Sequence, residues 1–378
     1  MEDEVRKLHE EHTGVLSTKA LLEVRNKEEL GMAYTPGVAE LSKLIHKNVS
    51  DAKKYTMSGK LVAVITDGSA VLGLGNIGPE AGLPIVEGKA LLYKTFADVD
   101  AIPLAVNQGS ADDIVRSIEG VSRSFAGIHL EDIAAPKCFE IEEELQKRLN
   151  IPVYHDDQEG TAMAVLAGLI NASHLVQKDL ATMKIVLVGI GASGVATAKL
   201  LLAYGAKNLV LVDQQGILKK DDETLNRYQK ELLQESQAKV TGTTLADAMV
   251  GADVVIGLSA GHIVTKEMVE TMADQPIVFA LANPVPEIEP EEARDGGAVL
   301  VATGSSKHPN QINNVLVFPG LYRGLIQSGL TQVSLPLQIN VSEALAKMIQ
   351  PTVEAFIPNV FDEGVADVVT EAVVNFRG

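Results

Sequence analysis

The sequence predicts an α/β protein of two domains, the second a doubly wound parallel sheet. Three observations carry this expectation. The 378 residues correspond to roughly two domains at about 150 residues each. From Lys184 onward, short apolar runs recur at 185–188, 209–212, 254–258, 277–281 and 299–302, and uninterrupted apolar runs between helices mark strands buried on both faces. The first of these runs passes straight into a glycine-rich turn and a helix, the order in which an α/β unit is built.

Taken along the chain, the first domain is expected over residues 1–160 and the second over 161–378. Met1 to His12 alternates acids and bases without an apolar core. Short strands are read at Leu61–Thr66, Gly127–Leu130 and Ile151–Tyr154, with a helix over Pro84–Phe96. A helical segment from Asp157 to Ser173 links the domains. In the second, a strand over Lys184–Val188 leads to a helix over Val195–Tyr204 and a strand over Asn208–Val212. The tail from Pro336 to Phe376 reads as amphipathic helix interrupted at Pro351 and Pro358.

Composition narrows the partners. A hydrophobic fraction of 46% and a charged fraction of 22% suit a folded globular chain. A net charge of −18 repels nucleic acid and anionic membrane, and no Lys/Arg run makes a compensating patch, so neither partner is expected. An anionic ligand must then be drawn by a local device such as a metal ion, a buried lysine or a helix N-terminus. Cys138 is the single cysteine, which rules out an intrachain disulfide and a cysteine metal cage. With no stretch reaching the roughly 18 apolar residues of a membrane span, a reducing, cytoplasmic location is expected.

Two G-x-G-x-x-G patterns occur, at Gly73, Gly75, Gly78 and at Gly189, Gly191, Gly194. Only the second has the context of a Rossmann dinucleotide site: strand before, helix after, then a second strand ending in Asp213. Its glycines, with Ala192 and Ser193 between them, would let the backbone approach a pyrophosphate at a helix N-terminus. Asp213 would accept hydrogen bonds from the adenosine ribose and repel a 2'-phosphate, so NAD is expected over NADP; Lys219 and Lys220 lie close enough to leave NADP possible. The first copy is followed by Pro79, Gly82 and Pro84 and reads as a loop rather than a strand-to-helix turn, either a simple glycine turn or a wall of a substrate cleft.

Four carboxylates stand just past strand ends: Glu131 and Asp132 after one strand, Asp156 and Asp157 after another. Hard divalent cations such as Mg2+ or Mn2+ take such oxygen ligands; the alternative is that these acids cap the helices that follow. His155 reads as a packed or hydrogen-bonding histidine, since no second histidine stands at ligand spacing. On the helix over Pro84–Phe96, Ile85, Val86, Leu92, Tyr93 and Phe96 gather on one side at about 100° per residue. Lys89 falls within that apolar arc. Desolvation there would lower its pKa and make it a base, unless its stem packs while its head reaches water.

These segments occur in order with Tyr34-Thr35-Pro36-Gly37-Val38-Ala39, Glu87-Gly88-Lys89-Ala90, Leu130-Glu131-Asp132-Ile133, His155-Asp156-Asp157-Gln158, Ala282-Asn283-Pro284 and Pro309-Asn310-Gln311-Ile312-Asn313-Asn314. From about residue 10 to the end the chain resembles the short bacterial malic enzymes. The resemblance implies oxidative decarboxylation of malate with NAD, a divalent metal held by Glu131, Asp132 and Asp157, and a homodimer. It implies that Lys89 assists removal of the C2 hydroxyl proton, that Asp156 supports Lys89, and that Tyr34 protonates the enol of pyruvate. Asn283, which would also touch the cofactor, and Asn313 and Asn314 would position malate.

Three departures stand out. Larger members carry an arginine after Thr-Asp-Gly that pairs with a malate carboxylate, where this chain has Ser69, Ala70 and Val71. Glu159 replaces the histidine that usually follows Asp-Asp-Gln, and Ser305-Ser306-Lys307-His308 replaces the common Arg-Ser-Asp-Tyr. Two rival readings follow: a soluble oxaloacetate decarboxylase of the same family, and a non-catalytic NAD-sensing protein.

Overall fold

The computed structural model describes residues 2–71 and 73–378. The chain opens with helices α1 (Glu2–His12), α2 (Lys27–Ala33), α3 (Gly37–Lys47) and α4 (Ala52–Tyr55), of which α2, α3 and α4 bury no residue. Then come β1 (Val62–Thr66), α5 (Pro79–Ala97), β2 (Ala101–Ala105), α6 (Ala111–Val121), β3 (Gly127–Glu131), α7 (Lys137–Arg148) and β4 (Val153–His155). A tight π-type turn, Asp156–Gly160, leads into the linking helix α8 (Thr161–Leu175), which is buried from Ala162 to Ser173.

The second half runs β5 (Ile185–Val188), α9 (Ala192–Tyr204), β6 (Leu209–Asp213), β7 (Gly216–Ile217), α10 (Arg227–Glu235), α11 (Leu245–Met249), β8 (Val254–Gly257), α12 (Lys266–Glu270), β9 (Ile277–Ala280), α13 (Pro290–Asp295) and β10 (Leu300–Thr303), and closes with α14 (Phe318–Ser328), α15 (Leu335–Lys347) and α16 (Val365–Val374).

Two sheets result, ordered β2-β1-β3-β4 and β10-β9-β8-β5-β6-β7. All pairs are parallel except β6–β7. The second order is the doubly wound dinucleotide arrangement, with a two-residue antiparallel hairpin where a third parallel strand would stand. Each of the five expected apolar runs contains a strand, and each strand is buried along its length apart from the partly exposed Asp213 at the end of β6. No helix of the described residues is long and apolar enough to cross a membrane.

Three features differ from expectation. Helix α5 starts at Pro79, directly after Gly78, so the first glycine pattern is followed by a helix and not by further loop. Proline at the first helical position sacrifices no hydrogen bond. Pro84 does cost one, roughly 3 kcal/mol in a helix interior, but burying Val86 and Tyr93 completely returns about 1.5–3 kcal/mol for each. Strand β2 is not expected from the sequence because Pro103 interrupts it; as an edge strand it can spare that N–H. In the tail, residues 348–364 form no helix, so Pro351 and Pro358 lie in one irregular stretch. Helices α14 and α16 pack against each other and on α5, where the Tyr322 hydroxyl donates to the Ile128 carbonyl at 2.5 Å.

Parallel strands bring their C-terminal ends to one edge. Register pairs Thr66 with Glu131 and Leu130 with His155, which gathers the residues after β1, β3 and β4. In the second sheet the turn Gly189–Gly191 and the loops after β8, β9 and β10 gather likewise. The two edges touch: a Cβ on Gly73 would lie 3.1 Å from the Pro284 ring, so the first glycine loop abuts the loop that carries Asn283.

Candidate active site

Lys89 is the centre of the site. Its side chain is 12% exposed, so it does not snorkel to solvent. An ammonium has three donor hydrogens, and three acceptors surround this one: Asp156 Oδ2, Glu131 Oε1 at 3.1 Å and Asn314 Oδ1 at 3.3 Å. Nζ also lies 4.8 Å over the Phe318 ring. Four segments far apart in sequence therefore converge on one amine.

The charge state differs from the sequence expectation. Burial does press the Lys89 pKa down, but Asp156, Glu131 and Asp157 outweigh it and hold the group above its ordinary value. With these carboxylates otherwise uncompensated, Lys89 is an ammonium ion. A divalent cation among the acids would supply the positive charge that now comes from Lys89 and lower its pKa toward the range of a base.

Asp156 has no exposed surface. Its Oδ2 meets Lys89, and its Oδ1 accepts from the Tyr154 hydroxyl at 2.5 Å. Burial opposes its charge, yet the neighbouring Lys89 keeps it below the usual carboxylate range. It is thus the fixed counter-ion of the lysine.

Glu131, Asp132 and Asp157 each offer one oxygen within 4.8 Å of the others. None caps a helix: the residues preceding α7 and α8 are Pro136 and Gly160. Asp132 has φ of +55°, left-handed backbone that aspartate tolerates better than most side chains. That turn breaks the strand alternation and lets two consecutive acids serve one cluster. The Asp132 N–H donates to Asp157 Oδ2 at 2.8 Å. Burial first, and crowding by like charges second, raise Asp132 and Asp157; burial likewise raises Glu131, against the pull of Lys89. Oxygen donors crowded out of water are what a hard divalent cation neutralises, so the residues present fit Mg2+ or Mn2+. A second grouping, His129 with Glu131 and Asp156, fits less well, because both ring nitrogens of His129 are engaged and Lys89 already bridges the two acids.

His155 is fully buried, with Nδ1 3.7 Å from Asp157 Oδ2 and neither ring nitrogen hydrogen-bonded among the described residues. Glu159 accepts from the His155 N–H at 3.1 Å and from Gln338 at 3.2 Å, so it braces the turn carrying Asp156 and Asp157. Ser69, in the stretch where larger members carry an arginine, donates to Asp67 at 2.5 Å and accepts from the Ala134 N–H at 2.9 Å, while Lys137 pairs with Asp67 at 2.7 Å. These contacts pin the loop after β3.

Not every expected residue arrives. Tyr34 is 67% exposed and, among the described residues, makes no hydrogen bond or ring contact with the cluster. Asn313 caps the turn before α14, accepting from the Val315 N–H at 3.0 Å. Asn283 is partly buried beside Gly304, its amide 3.4 Å from the Leu281 carbonyl. Three contributors were missed: Tyr154, which grips Asp156; His129, which grips Glu131; and Glu287, 1% exposed, which accepts from the Ser259 and Ala282 N–H groups and ties together the loops after β8 and β9. The placement of His129 two residues before Glu131 on a strand, hence on the same face, was the one signal available.

The second glycine turn has the geometry of a dinucleotide site. Gly189 has φ of +91°, and a Cβ on Gly194 would overlap the Gly189 carbonyl, so helix α9 can sit this close to the turn only with glycine there. Gly191, exposed at the start of α9, faces open space. Ala192 and Ser193 form the first turn, whose free N–H groups attract phosphate. Asp213 ends β6 and accepts from the Gln214 N–H at 2.8 Å.

A dinucleotide-type turn at the edge of one sheet, with a buried lysine and an acid cluster suited to a cation at the edge of the other, is the equipment of a metal-dependent nicotinamide dehydrogenase. Residues 158–373 match the family described as malic enzyme, NAD binding domain, and residues 11–146 match malic enzyme, N-terminal domain. The chain belongs to the malic enzyme family. It is 47% identical to the bifunctional malic/malolactic enzyme of Bacillus subtilis, over 99% of this chain and 92% of that one. It is 42% identical to the NADP-dependent malic enzyme of Halomonas elongata, over 93% and 83%. The crystal structure of the NAD-dependent malic enzyme from Thermotoga maritima superposes with a TM-score of 0.95 at 43% identity, covering 98% of both chains.

Proposed function

We propose that this protein oxidises (S)-malate to pyruvate and carbon dioxide with reduction of NAD, in a reaction that requires Mg2+ or Mn2+. The supporting observation is the shared ligation of Lys89 by Asp156 and Glu131 from one side of the cleft and Asn314 from the other.

In this reading residues 1–160 carry the acid and lysine cluster and residues 161–378 carry the nucleotide turn. Glu131, Asp132 and Asp157 would hold the cation, which would supply Lewis-acid polarisation of the substrate oxygen and stabilise the negative charge developed on decarboxylation. Lys89 would accept the C2 hydroxyl proton as hydride leaves C2 for the nicotinamide. Asp156 keeps the lysine aimed. Asn314, with Asn283 and Asn313, would orient the substrate carboxylates. Gly189, Gly191, Ala192, Ser193 and Gly194 seat the pyrophosphate, and Asp213 selects NAD over NADP by repelling a 2'-phosphate.

Tyr34 would supply the proton that converts enolpyruvate to pyruvate. It sits on a segment whose apolar residues Leu21, Leu22, Met32 and Val49 are each more than 60% exposed, a surface suited to a second copy of the chain. A homodimer covering it would let Tyr34 serve the partner's site. Assaying malate with NAD or NADP, with and without Mn2+, while following nucleotide reduction and carbon dioxide together, tests the reaction; nucleotide reduction without carbon dioxide, or turnover in EDTA equal to that in Mn2+, contradicts it. Sedimentation gives the oligomeric state. Mixing Lys89→Ala with Tyr34→Phe chains should restore activity that neither has alone.

A further inference from the structure

Beneath the acid cluster, Tyr93 and His129 form a connected pair whose end is Glu131. The Tyr93 hydroxyl lies 2.8 Å from His129 Nδ1, and His129 Nε2 lies 2.8 Å from Glu131 Oε2. Tyr93 and His129 have no exposed surface and Glu131 is 3% exposed, so solvent cannot substitute for either bond. A carboxylate only accepts, so Nε2 carries the hydrogen; Nδ1 of the neutral ring then accepts from the tyrosine hydroxyl. One tautomer and one hydroxyl direction satisfy every atom.

The rest of Glu131 is held from the same helix. Its Oε1 lies 3.1 Å from Lys89, and Lys89 and Tyr93 stand one turn apart on α5, on one face. The imidazole is also fixed sideways, with Phe318, Tyr154 and Tyr93 in edge contact at centroid distances of 5.5, 5.5 and 5.6 Å. Glu131 therefore cannot turn either oxygen without breaking a buried bond.

We infer that Tyr93 and His129 are positioning residues that orient Glu131 for the divalent cation. His129 keeps Oε2 engaged, so Oε1, the oxygen turned toward Lys89, is the one offered to the ion. Without the imidazole, the carboxylate is free to rotate and give both oxygens to Lys89, which weakens it as a ligand. The inference rests on the reading of Glu131 as a metal ligand.

The test measures Mn2+ affinity from the electron paramagnetic resonance of free Mn2+, with NAD affinity and thermal midpoint as companions, in wild type, Glu131→Gln, His129→Leu, His129→Gln and Tyr93→Phe. His129→Leu should weaken Mn2+ binding by about 10–100-fold, the usual cost of losing a hydrogen-bond partner of a ligand. His129→Gln, whose amide can donate to Glu131 and accept from Tyr93, should recover most of that loss. Tyr93→Phe should fall between them, and NAD affinity should be unchanged throughout. Wild-type Mn2+ affinity in His129→Leu, or no recovery with glutamine, overturns the inference. Should His129→Leu fail to fold, Tyr93→Phe decides: weaker binding than in His129→Gln supports it, and binding equal to wild type overturns it. If Glu131→Gln binds Mn2+ as wild type does, the metal site itself is misassigned and the inference falls with it.

Discussion

The amide oxygen of Asn314 lies 3.3 Å from the ammonium of Lys89, a residue 225 positions away. One belongs to α5 beside the first sheet, the other to the turn following β10 of the second. Anything that separates the two halves of the molecule breaks this bond, so the surroundings of the buried lysine depend on how the halves meet.

Lys89→Ala should lower kcat by about 10²–10⁴-fold, the usual contribution of a positioned proton acceptor, while leaving NAD affinity within error of wild type. Steady-state kinetics with malate and a direct NAD titration check both halves of this expectation. An unaltered kcat would remove Lys89 from the chemistry.

Gly191→Ala and Gly194→Ala should fail in different ways. A methyl on Gly191 meets nothing, whereas one on Gly194 overlaps the Gly189 carbonyl. The first variant should keep the wild-type thermal midpoint and show a KM for NAD raised about tenfold or more, because its methyl stands where backbone approaches the pyrophosphate. The second should lose stability outright. Calorimetry and NAD kinetics on both variants distinguish them, and equal behaviour would show that the turn does not seat the dinucleotide.

Asp213→Ala should narrow the preference for NAD by improving kcat/KM with NADP and worsening it with NAD, since the carboxylate is both ribose acceptor and phosphate repellent. Lys219 and Lys220, exposed six and seven residues on, would then have no acid between them and a 2'-phosphate. A ratio of the two kcat/KM values that does not move would place cofactor selection elsewhere.

Burial and crowding hold Glu131, Asp132 and Asp157 up to about 7, 8 and 6, well above the values near 4 of an unfolded chain. Between about pH 4 and 8 the folded protein therefore binds more protons than the unfolded one, so stability from this source declines from about pH 4 upward and is lost once pH has passed through the folded values of about 6 to 8. A divalent cation competes with those protons, so Mn2+ affinity should rise over the same window. In EDTA the thermal midpoint should be lower at pH 8.5 than at pH 5.5, with Mn2+ closing the difference and Asp157→Asn reducing it. A metal-free protein more stable at pH 8.5, with no effect of Asp157→Asn, would contradict the assignment.

The alternation of apolar runs with helices was enough to read the second sheet, because a strand buried on both faces must be apolar at every position, and β5, β8 and β9 are. The glycine turn was equally legible: Gly189 and Gly194 answer to local backbone limits. The four acids could be placed at strand ends because parallel strands deliver their termini to one edge. Strand β2 was hidden by Pro103, and the start of α5 by Pro79 and Pro84, since local propensity argued against elements that packing stabilises.

What only the tertiary structure decided is the charge and reach of the side chains. The sequence placed Lys89 on an apolar face and so implied a neutral amine; three carboxylates from β3 and the turn after β4 reverse that. It could not show that Asp132 turns left-handed to join Glu131, that His129 and Tyr154 anchor the acids, or that Tyr34 stands out in solvent. Local pattern encodes backbone conformation and which face is buried, whereas a pKa and a contact are sums over segments that meet only when the chain is folded.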